Sequence, residues 1–234
     1  MTTVQGARAR ARIEITAAIK DEARRQLAAE GAAKLSLRAV ARELGMVSSA
    51  LYRYFPSRDD LLTALIIDAY DSVGASAEQA RAAAATAAPG DHLAHWTAAC
   101  RAVRAWAVAH PHEYALIYGS PVPGYSAPQD TIAPASRVGL LLVSTARAAY
   151  DDKAVAPPPL PATLHPEAER LAADLAPDLP PPLAVALVFA WAQLFGLISF
   201  EVFGQFNNVV EDRDAFFAAA AERLGRDVGL LPKP

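Results

Sequence analysis

Two short helical patterns separated by only two residues limit the possible folds of this chain more than any other feature of its sequence. The first repeats apolar residues at steps of three and four, at Leu37, Val40, Ala41 and Leu44. After Gly45 and Met46 the repeat resumes at Val47, Ala50, Leu51, Tyr54 and Phe55, and it stops at Pro56. Because so short a connection brings two helices together at a sharp corner, the spacing predicts a helix-turn-helix.

Helices are also expected on both sides of this corner. Before it, apolar residues recur every four positions, at Ile15, Ile19, Ala23 and Leu27, and Gly31 then acts as a stop signal. Ser36 is a favourable N-cap for the first helix of the corner. Ser57 is placed to cap the helix after it, where Asp59 and Asp60 suit the positive end of the helix dipole.

The rest of the chain predicts an all-α fold. The chain contains 54 alanines among 234 residues, and alanine is the best helix former. Helical spacing or capping recurs over residues 93–110, 111–118, 132–150, 167–175, 183–200 and 212–228, with no alternation typical of strands. The sequence carries no glycine-rich phosphate loop, no Cys-x-x-Cys and no nucleophile elbow, so we predict neither catalytic residues nor a cofactor.

The net charge of −3 conceals two regions of opposite sign. Residues 1–60 hold eleven Lys and Arg against seven Asp and Glu, and the remainder holds eleven against eighteen. This asymmetry indicates a basic module with an anionic partner, joined to an acidic module with another task.

The outer side of the second corner helix has the composition expected of a DNA reading face. Ser48, Ser49, Tyr52 and Arg53 combine small side chains with hydrogen-bonding tips, as entry into a groove about 12 Å wide requires. Ser36 at a helix N-terminus is placed to bind a phosphate. Arg38 and Arg58 flank the turn and can add phosphate or base contacts. The same pattern would also fit an ordinary helical corner with a solvated face.

The run LSLRAVARELGMVSSALYRYFPSRDDLL, preceded by LAAEG, resembles the DNA-binding signature of the TetR family of bacterial regulators. The resemblance covers about residues 13–65, and the segments WAQLFGLISFEVFG and PHEYALIYGSP are similar to one actinobacterial branch. It implies a three-helix DNA-binding domain over residues 1–60 and a helical ligand-binding and dimerisation domain over 61–234.

The resemblance also assigns roles in DNA binding. It implies that Ser36 and Tyr54 hold phosphates and that Arg58 contacts the DNA backbone. It places four side chains near base edges, namely Arg38, Ser48, Ser49 and Tyr52. The chain departs from the family pattern at Val47, where Ser or Thr usually begins the reading helix, so the cap is either lost or taken over by Ser48.

The C-terminal part is expected to form a homodimer and to bind a small molecule. Small residues beside bulky apolar ones in the charge-free stretch suit close packing with a second copy, which predicts an interface at Trp191, Leu194, Gly196, Ile198 and Val202. The same residues would also suit a core within the chain. A hydrophobic or aromatic effector would be lined by Trp96, Cys100, Tyr114, Tyr118, Phe189 and Phe195, although each of these suits core packing too.

We therefore expect a cytoplasmic repressor that binds a palindromic duplex DNA operator as a dimer and is released by an effector of unknown identity. A single cysteine, Cys100, and no secretory leader fit a reducing compartment. Two alternatives stay open. His92, His95, His110 and His112 would serve a helical metal enzyme, although their spacing does not predict a metal site. Residues 183–200 meet the lower length for a membrane span, but no Lys or Arg flanks them.

Overall fold

The computed structural model describes residues 2–233, with side chains from residue 6 onward, and it is all-α. Within these residues it contains ten α-helices: α1 (Thr2–Glu30), α2 (Leu37–Glu43), α3 (Ser48–Leu51), α4 (Arg58–Ala87), α5 (His92–Ala109), α6 (Pro111–Tyr118), α7 (Ile132–Asp151), α8 (His165–Leu175), α9 (Pro181–Val202) and α10 (Arg213–Val228). Over the same residues the only β pairing is one antiparallel bridge between Val155 and Leu230. The predicted fold class is confirmed.

The chain divides into two compact units that are not contiguous in sequence. The first unit comprises the chain up to Tyr70 together with His110–Ile132. The second comprises Asp71–Ala109 and the chain from Ala133 onward. The sequence placed a functional boundary after residue 60, and that boundary stays a prediction. The sequence analysis did not predict that α6 and the loop after it belong to the first unit.

The core of the first unit is built from one side of each of its first four helices. Its buried members are Ile19, Ala23, Leu27, Leu35, Leu37, Val40, Ala41, Leu51, Phe55, Leu61, Leu62 and Leu65. Eight of these residues belong to the apolar repeats read from the sequence. Burial of each large aliphatic side chain contributes about 1.5–3 kcal/mol relative to its exposure. The helix-turn-helix corner is therefore held by the core beneath it.

Polar contacts tie α1, α4 and α6 together within the first unit. Arg24 donates to Asp21 at 2.8 Å, to Asp68 at 2.7 Å and to Glu113 at 3.2 Å. Lys20 also donates to Asp68, at 2.8 Å. The Arg24 side chain is 30% exposed, so water screens these pairs less than it screens fully exposed ones. The network holds α6 against α1 and α4.

Aromatic side chains add to the attachment of α6. The Tyr70 hydroxyl donates to the Ile117 carbonyl at 3.2 Å, and the Tyr70 and Tyr118 rings meet edge to face at 5.8 Å. Burial raises the pKa of Tyr118 well above its usual value, so this phenol stays protonated. In the loop after α6, the Tyr125 hydroxyl lies 2.9 Å from the Thr63 hydroxyl.

In the second unit, α10 packs closely against α5. Trp96 is fully buried, and its indole N–H donates to the Ala221 carbonyl at 3.1 Å. A Cβ added at Gly225 would lie 2.7 Å from Leu93 Cδ1 and 2.9 Å from Trp96 Cδ1. Only glycine lets the two helices approach to this distance.

Two arginines connect further helices of the second unit. Arg104 of α5 donates to Glu201 at 2.6 and 2.7 Å and to Asp214 at 2.7 Å, and thereby joins α9 and α10. Arg137 of α7 donates to Glu78 of α4 at 2.7 and 3.0 Å, and this hydrogen bonding lowers the pKa of the Glu78 carboxyl.

Candidate nucleic-acid interface

The first helix of the corner begins and ends with the expected residues. The Ser36 hydroxyl accepts a hydrogen bond from the Ala39 N–H at 3.5 Å, so Ser36 is the N-cap of α2. Gly45 adopts a φ of 64°, a left-handed conformation that glycine reaches without a Cβ clash. The Met46 N–H returns to the Ala41 carbonyl at 2.8 Å and closes the turn. The predicted helix-turn-helix geometry is present.

The second helix of the corner is shorter than its apolar pattern predicts. Regular helix extends only over Ser48–Leu51, and the chain continues to Phe55 through hydrogen bonds of mixed spacing. Val47 is the N-cap residue and makes no side-chain cap bond, and Ser48 does not replace it as a cap. Pro56 limits the helix at the other end because it cannot continue the hydrogen-bonding pattern. The reading helix therefore depends on the packing of Leu51 and Phe55 below it.

The side chains predicted to read DNA lie on the surface around this helix. Ser48, Ser49, Tyr52, Arg53 and Arg38 are all exposed, and Tyr52 retains 42% of its accessible area. Ser36 is half-buried. Val47, which the sequence placed on the inner side, is 70% exposed and adds an apolar contact surface of the kind that meets a thymine methyl group.

Arg58 has a structural role that the sequence analysis did not predict. Its guanidinium donates to the backbone carbonyls of Leu35 at 3.2 Å, Ala32 at 2.8 Å and Ala33 at 3.4 Å. Its Nη1 donates to Asp59 at 3.4 Å. These bonds satisfy carbonyls ahead of α2 and fix the start of α4 beside the corner. The contact of Arg58 with the DNA backbone stays a prediction.

Tyr54 has a partner that the sequence analysis missed. The Arg12 guanidinium carbon lies 5.2 Å from the centre of the Tyr54 ring, within range of a cation–π contact. Arg12 Nη2 also approaches the Arg53 carbonyl at 3.5 Å. No local signal could reveal this pair, because more than 40 residues separate the partners.

Comparison with known proteins identifies this interface. Residues 19–65 match the family model for bacterial regulatory proteins of the tetR family, and residues 96–224 match the model for a tetracyclin repressor-like C-terminal domain. The chain belongs to the TetR family. Its corner is therefore the DNA-binding helix-turn-helix of a transcriptional regulator, and the chain is not an enzyme.

Similar proteins extend along almost the whole chain. The HTH-type transcriptional regulators Rv1816 of Mycobacterium tuberculosis (strain H37Rv) and Mb1846 of Mycobacterium bovis are each 40% identical over 223 residues, which covers 94% of both chains. The regulatory protein SCO4313, whose crystal structure is known, shares 36% sequence identity with this chain. The two structures superpose with a TM-score of 0.72 over 92% of this chain and 97% of the other. The TetR family regulator PfmR from Thermus thermophilus, at 16% identity and a TM-score of 0.58 over 89% and 97% of the two chains, shares the fold.

The six side chains predicted to line an effector site fall in both units. In the first unit, the rings of Tyr114 and Tyr118 lie 5.1 Å apart. In the second, Trp96, Cys100 and Phe195 are buried, whereas Phe189 is 56% exposed. The buried members form part of the core of their own unit.

The Cys100 thiol is chemically inert in this setting. Burial in an apolar environment raises its pKa to about 12, so the reactive thiolate is absent at neutral pH. Any role of Cys100 towards a ligand would be that of a small apolar side chain.

Two open surface pockets of the second unit contain none of the predicted effector residues. One, of about 400 Å³, lies between α5 and α10 and includes Arg101, Glu222, Arg226 and Lys233. The other, of about 750 Å³, lies at the start of α10 and includes Arg104, Glu201 and Asp212. Charged residues at both pockets fit a hydrophobic effector poorly.

His92 and His95 lie together, with their rings edge to face at 5.4 Å, and each has a further polar partner. His92 Nε2 lies 2.8 Å from Asp152 Oδ2, and His95 Nε2 lies 2.8 Å from the Ala88 carbonyl oxygen. Over the described part of the chain there is no group of three or more His, Cys, Asp or Glu that could hold a metal ion.

The predicted dimer residues of α9 differ in their exposure within the single chain. Leu194 and Ile198 are fully buried within the chain itself, because this side of α9 packs on α5, α8 and α10. Trp191 and Gly196 are exposed, and Val202 is half-buried. Within residues 2–233, α9 is also the one helix long and apolar enough to cross a membrane, a property that the core helices of globular proteins share.

Proposed function

We propose that this chain is a repressor that binds a palindromic operator as a homodimer and leaves it when a small hydrophobic or aromatic effector binds. The observation that carries the proposal is the exposed set of polar side chains on the helix-turn-helix above a hydrophobic core. Its partner is duplex DNA and its place is the cytoplasm, where that DNA is accessible. No membrane partner is proposed.

The dimer proposal rests on apolar surface at α9 and just beyond it. Phe189, Phe200 and Phe203 lie there on one side of the helix axis, at 43–56% exposure, whereas Trp191 lies on the opposite side. Phe216 of α10 is 44% exposed and belongs to the same surface, because its ring meets Phe206 edge to face at 5.6 Å and Phe206 in turn meets Phe200. Aromatic residues concentrated on one surface are typical of protein interfaces.

Gly196 provides a test of this interface. A Cβ added at Gly196 would meet nothing within 4 Å in the single chain, although the residue lies in the middle of the exposed face of α9. We expect Gly196→Leu to weaken dimerisation by tenfold or more, because a large side chain would hold the two copies apart. Analytical ultracentrifugation over a concentration series measures the change.

The matched control is Gly139→Leu on α7, where an added Cβ also meets nothing within 4 Å. We expect its dimer dissociation constant to match that of the wild type. An unchanged dimer in Gly196→Leu would place the interface elsewhere and contradict this proposal.

The effector proposal rests on aromatic side chains of the second unit. Trp96 is fully buried there, and Phe195 is 8% exposed. These side chains present apolar surface and few charged groups, which is the composition of sites for small apolar ligands. Release requires little energy, since a hundredfold loss of operator affinity corresponds to about 2.8 kcal/mol of differential binding.

The connection between effector and DNA binding is proposed to run through α4. This helix extends from Arg58 to Ala87, so its first part belongs to the first unit and its second part to the second unit. Arg58 at its start holds the carbonyls ahead of the corner, and Glu78 further along binds Arg137 of α7. A shift of α4 on effector binding would change the spacing of the two DNA-binding heads in the dimer.

The experiment that tests the proposal is selection of genomic fragments retained by the purified protein, followed by sequencing. We expect inverted half-sites whose centres lie about 34 Å apart, one turn of DNA, or a multiple of that distance. Deletion of the gene should raise transcription of the adjacent genes. Retained fragments without two-fold symmetry would contradict the dimeric operator, and lower transcription in the deletion strain would indicate an activator.

A further inference from the structure

The first turns of α1 extend away from the core of the helix-turn-helix. Residues 7–14 are all exposed, and the first fully buried residue of α1 is Ile19. No side of this segment is buried against the core. Its charge is equally one-sided, because Arg8, Arg10 and Arg12 come before the first acidic residue of the chain, Glu14.

The three arginines do not point the same way. Positions four apart on a helix share a face and positions two apart lie on opposite faces, so Arg8 and Arg12 form one stripe and Arg10 lies behind it. The direction of the stripe is fixed by Arg12, whose guanidinium contacts the Tyr54 ring and approaches the Arg53 carbonyl. Arg8 and Arg12 therefore continue the reading surface, with Arg8 about 6 Å further along the helix axis.

We infer that Arg8 and Arg12 bind phosphates of the DNA backbone beside the base pairs read by α3, as a second contact that the helix-turn-helix signature does not contain. The inference rests on the operator binding proposed above. A helix about 10 Å across cannot enter a minor groove about 6 Å wide, so an intact arm lies against the phosphates at the groove edge. Such contacts raise affinity for any duplex sequence and do not select bases.

The salt dependence of binding measures this contact directly. We expect Arg8→Ala/Arg12→Ala to weaken binding about tenfold and to lower the slope of log affinity against log salt concentration by about 0.9 for each phosphate that is no longer neutralised. The probes are a duplex selected by the wild-type protein from a random pool and a scrambled duplex of equal length. The weakening should be the same on both probes.

Two matched variants make the result specific. Arg10→Ala removes one positive charge from the opposite face, and we expect it to keep the wild-type slope. Arg8→Lys/Arg12→Lys keeps the charges and should restore most of the slope. If Arg10→Ala lowers the slope by half as much as the double alanine variant, which removes twice the charge, the effect is one of diffuse charge and the inference is overturned. An unchanged slope in the double variant would overturn it too.

Failure of this inference differs from failure of the proposed function. If the wild-type protein retains its selected duplex and the double alanine variant binds with the same slope, only the arm contact is refuted. If the wild type binds no duplex more tightly than the scrambled one, the operator proposal itself is refuted.

Discussion

The variants Tyr52→Ala and Arg38→Ala should each weaken operator binding by about tenfold to a hundredfold. A direct base contact contributes about 1–3 kcal/mol of discrimination against the wrong base. Both side chains are exposed beside α3, so their removal leaves the core beneath intact. A gel-shift titration on the selected operator measures the change in affinity. The same variants should bind a scrambled duplex almost as the wild type does, since base contacts act mainly on the specific site.

The charge-matched control is Arg170→Ala in α8. Arg170 is exposed and pairs with Glu167 and Asp174 within its own helix, so it belongs to no predicted DNA surface. We expect operator affinity within about twofold of the wild type, since salt at physiological concentration screens distant charges. Unchanged affinity in both Tyr52→Ala and Arg38→Ala would refute the assigned reading face.

Replacing Trp96 with alanine should lower the free energy of unfolding by about 3–5 kcal/mol, the usual cost of deleting a buried large aromatic side chain. Trp96 has no exposed area and donates its indole N–H to the Ala221 carbonyl. Its ring also packs so closely on Gly225 that a Cβ there would clash with it. Urea unfolding followed by circular dichroism gives the change.

Trp96→Phe keeps a six-membered ring in the core and loses the indole N–H together with part of the ring volume. We expect a total cost smaller than that of Trp96→Ala, of which the lost hydrogen bond contributes about 1–2 kcal/mol. A change below about 1 kcal/mol in Trp96→Ala would show that the side chain borders open space instead of packed core, in favour of an effector contact.

The helices and their ends followed from local chemistry that the sequence displays. Ser36, Asp91 and Asp212 each cap the helix that follows, and Gly45 takes the left-handed conformation of the turn. These signals act within a few residues, so they can be recognised in the sequence. At Val47 the sequence allowed either loss of the helix cap or its replacement by Ser48. The structure shows Val47 as the N-cap residue without a side-chain cap bond.

The features that escaped prediction depend on contacts between distant residues. Arg58 reaches carbonyls 23–26 residues earlier, and Arg24 reaches Glu113 of α6, 89 residues later. The orientation of α9 was missed for a different reason. A helix that is apolar on all sides carries no periodic signal for its inner face, so Leu194 and Ile198 could not be distinguished from outward-facing residues.

The discontinuous first unit limits how freely such a DNA-binding head can be exchanged. Leu116, Val122 and Tyr125, from the segment inserted between α5 and α7, pack against its core although they lie far from it in sequence. A head excised after Tyr70 would lose that cover and expose apolar surface. Hybrid regulators made from this chain therefore need matched α6 segments as well as matched N-terminal sequences, and evolution of operator specificity is constrained by residues far along the gene from the helix-turn-helix.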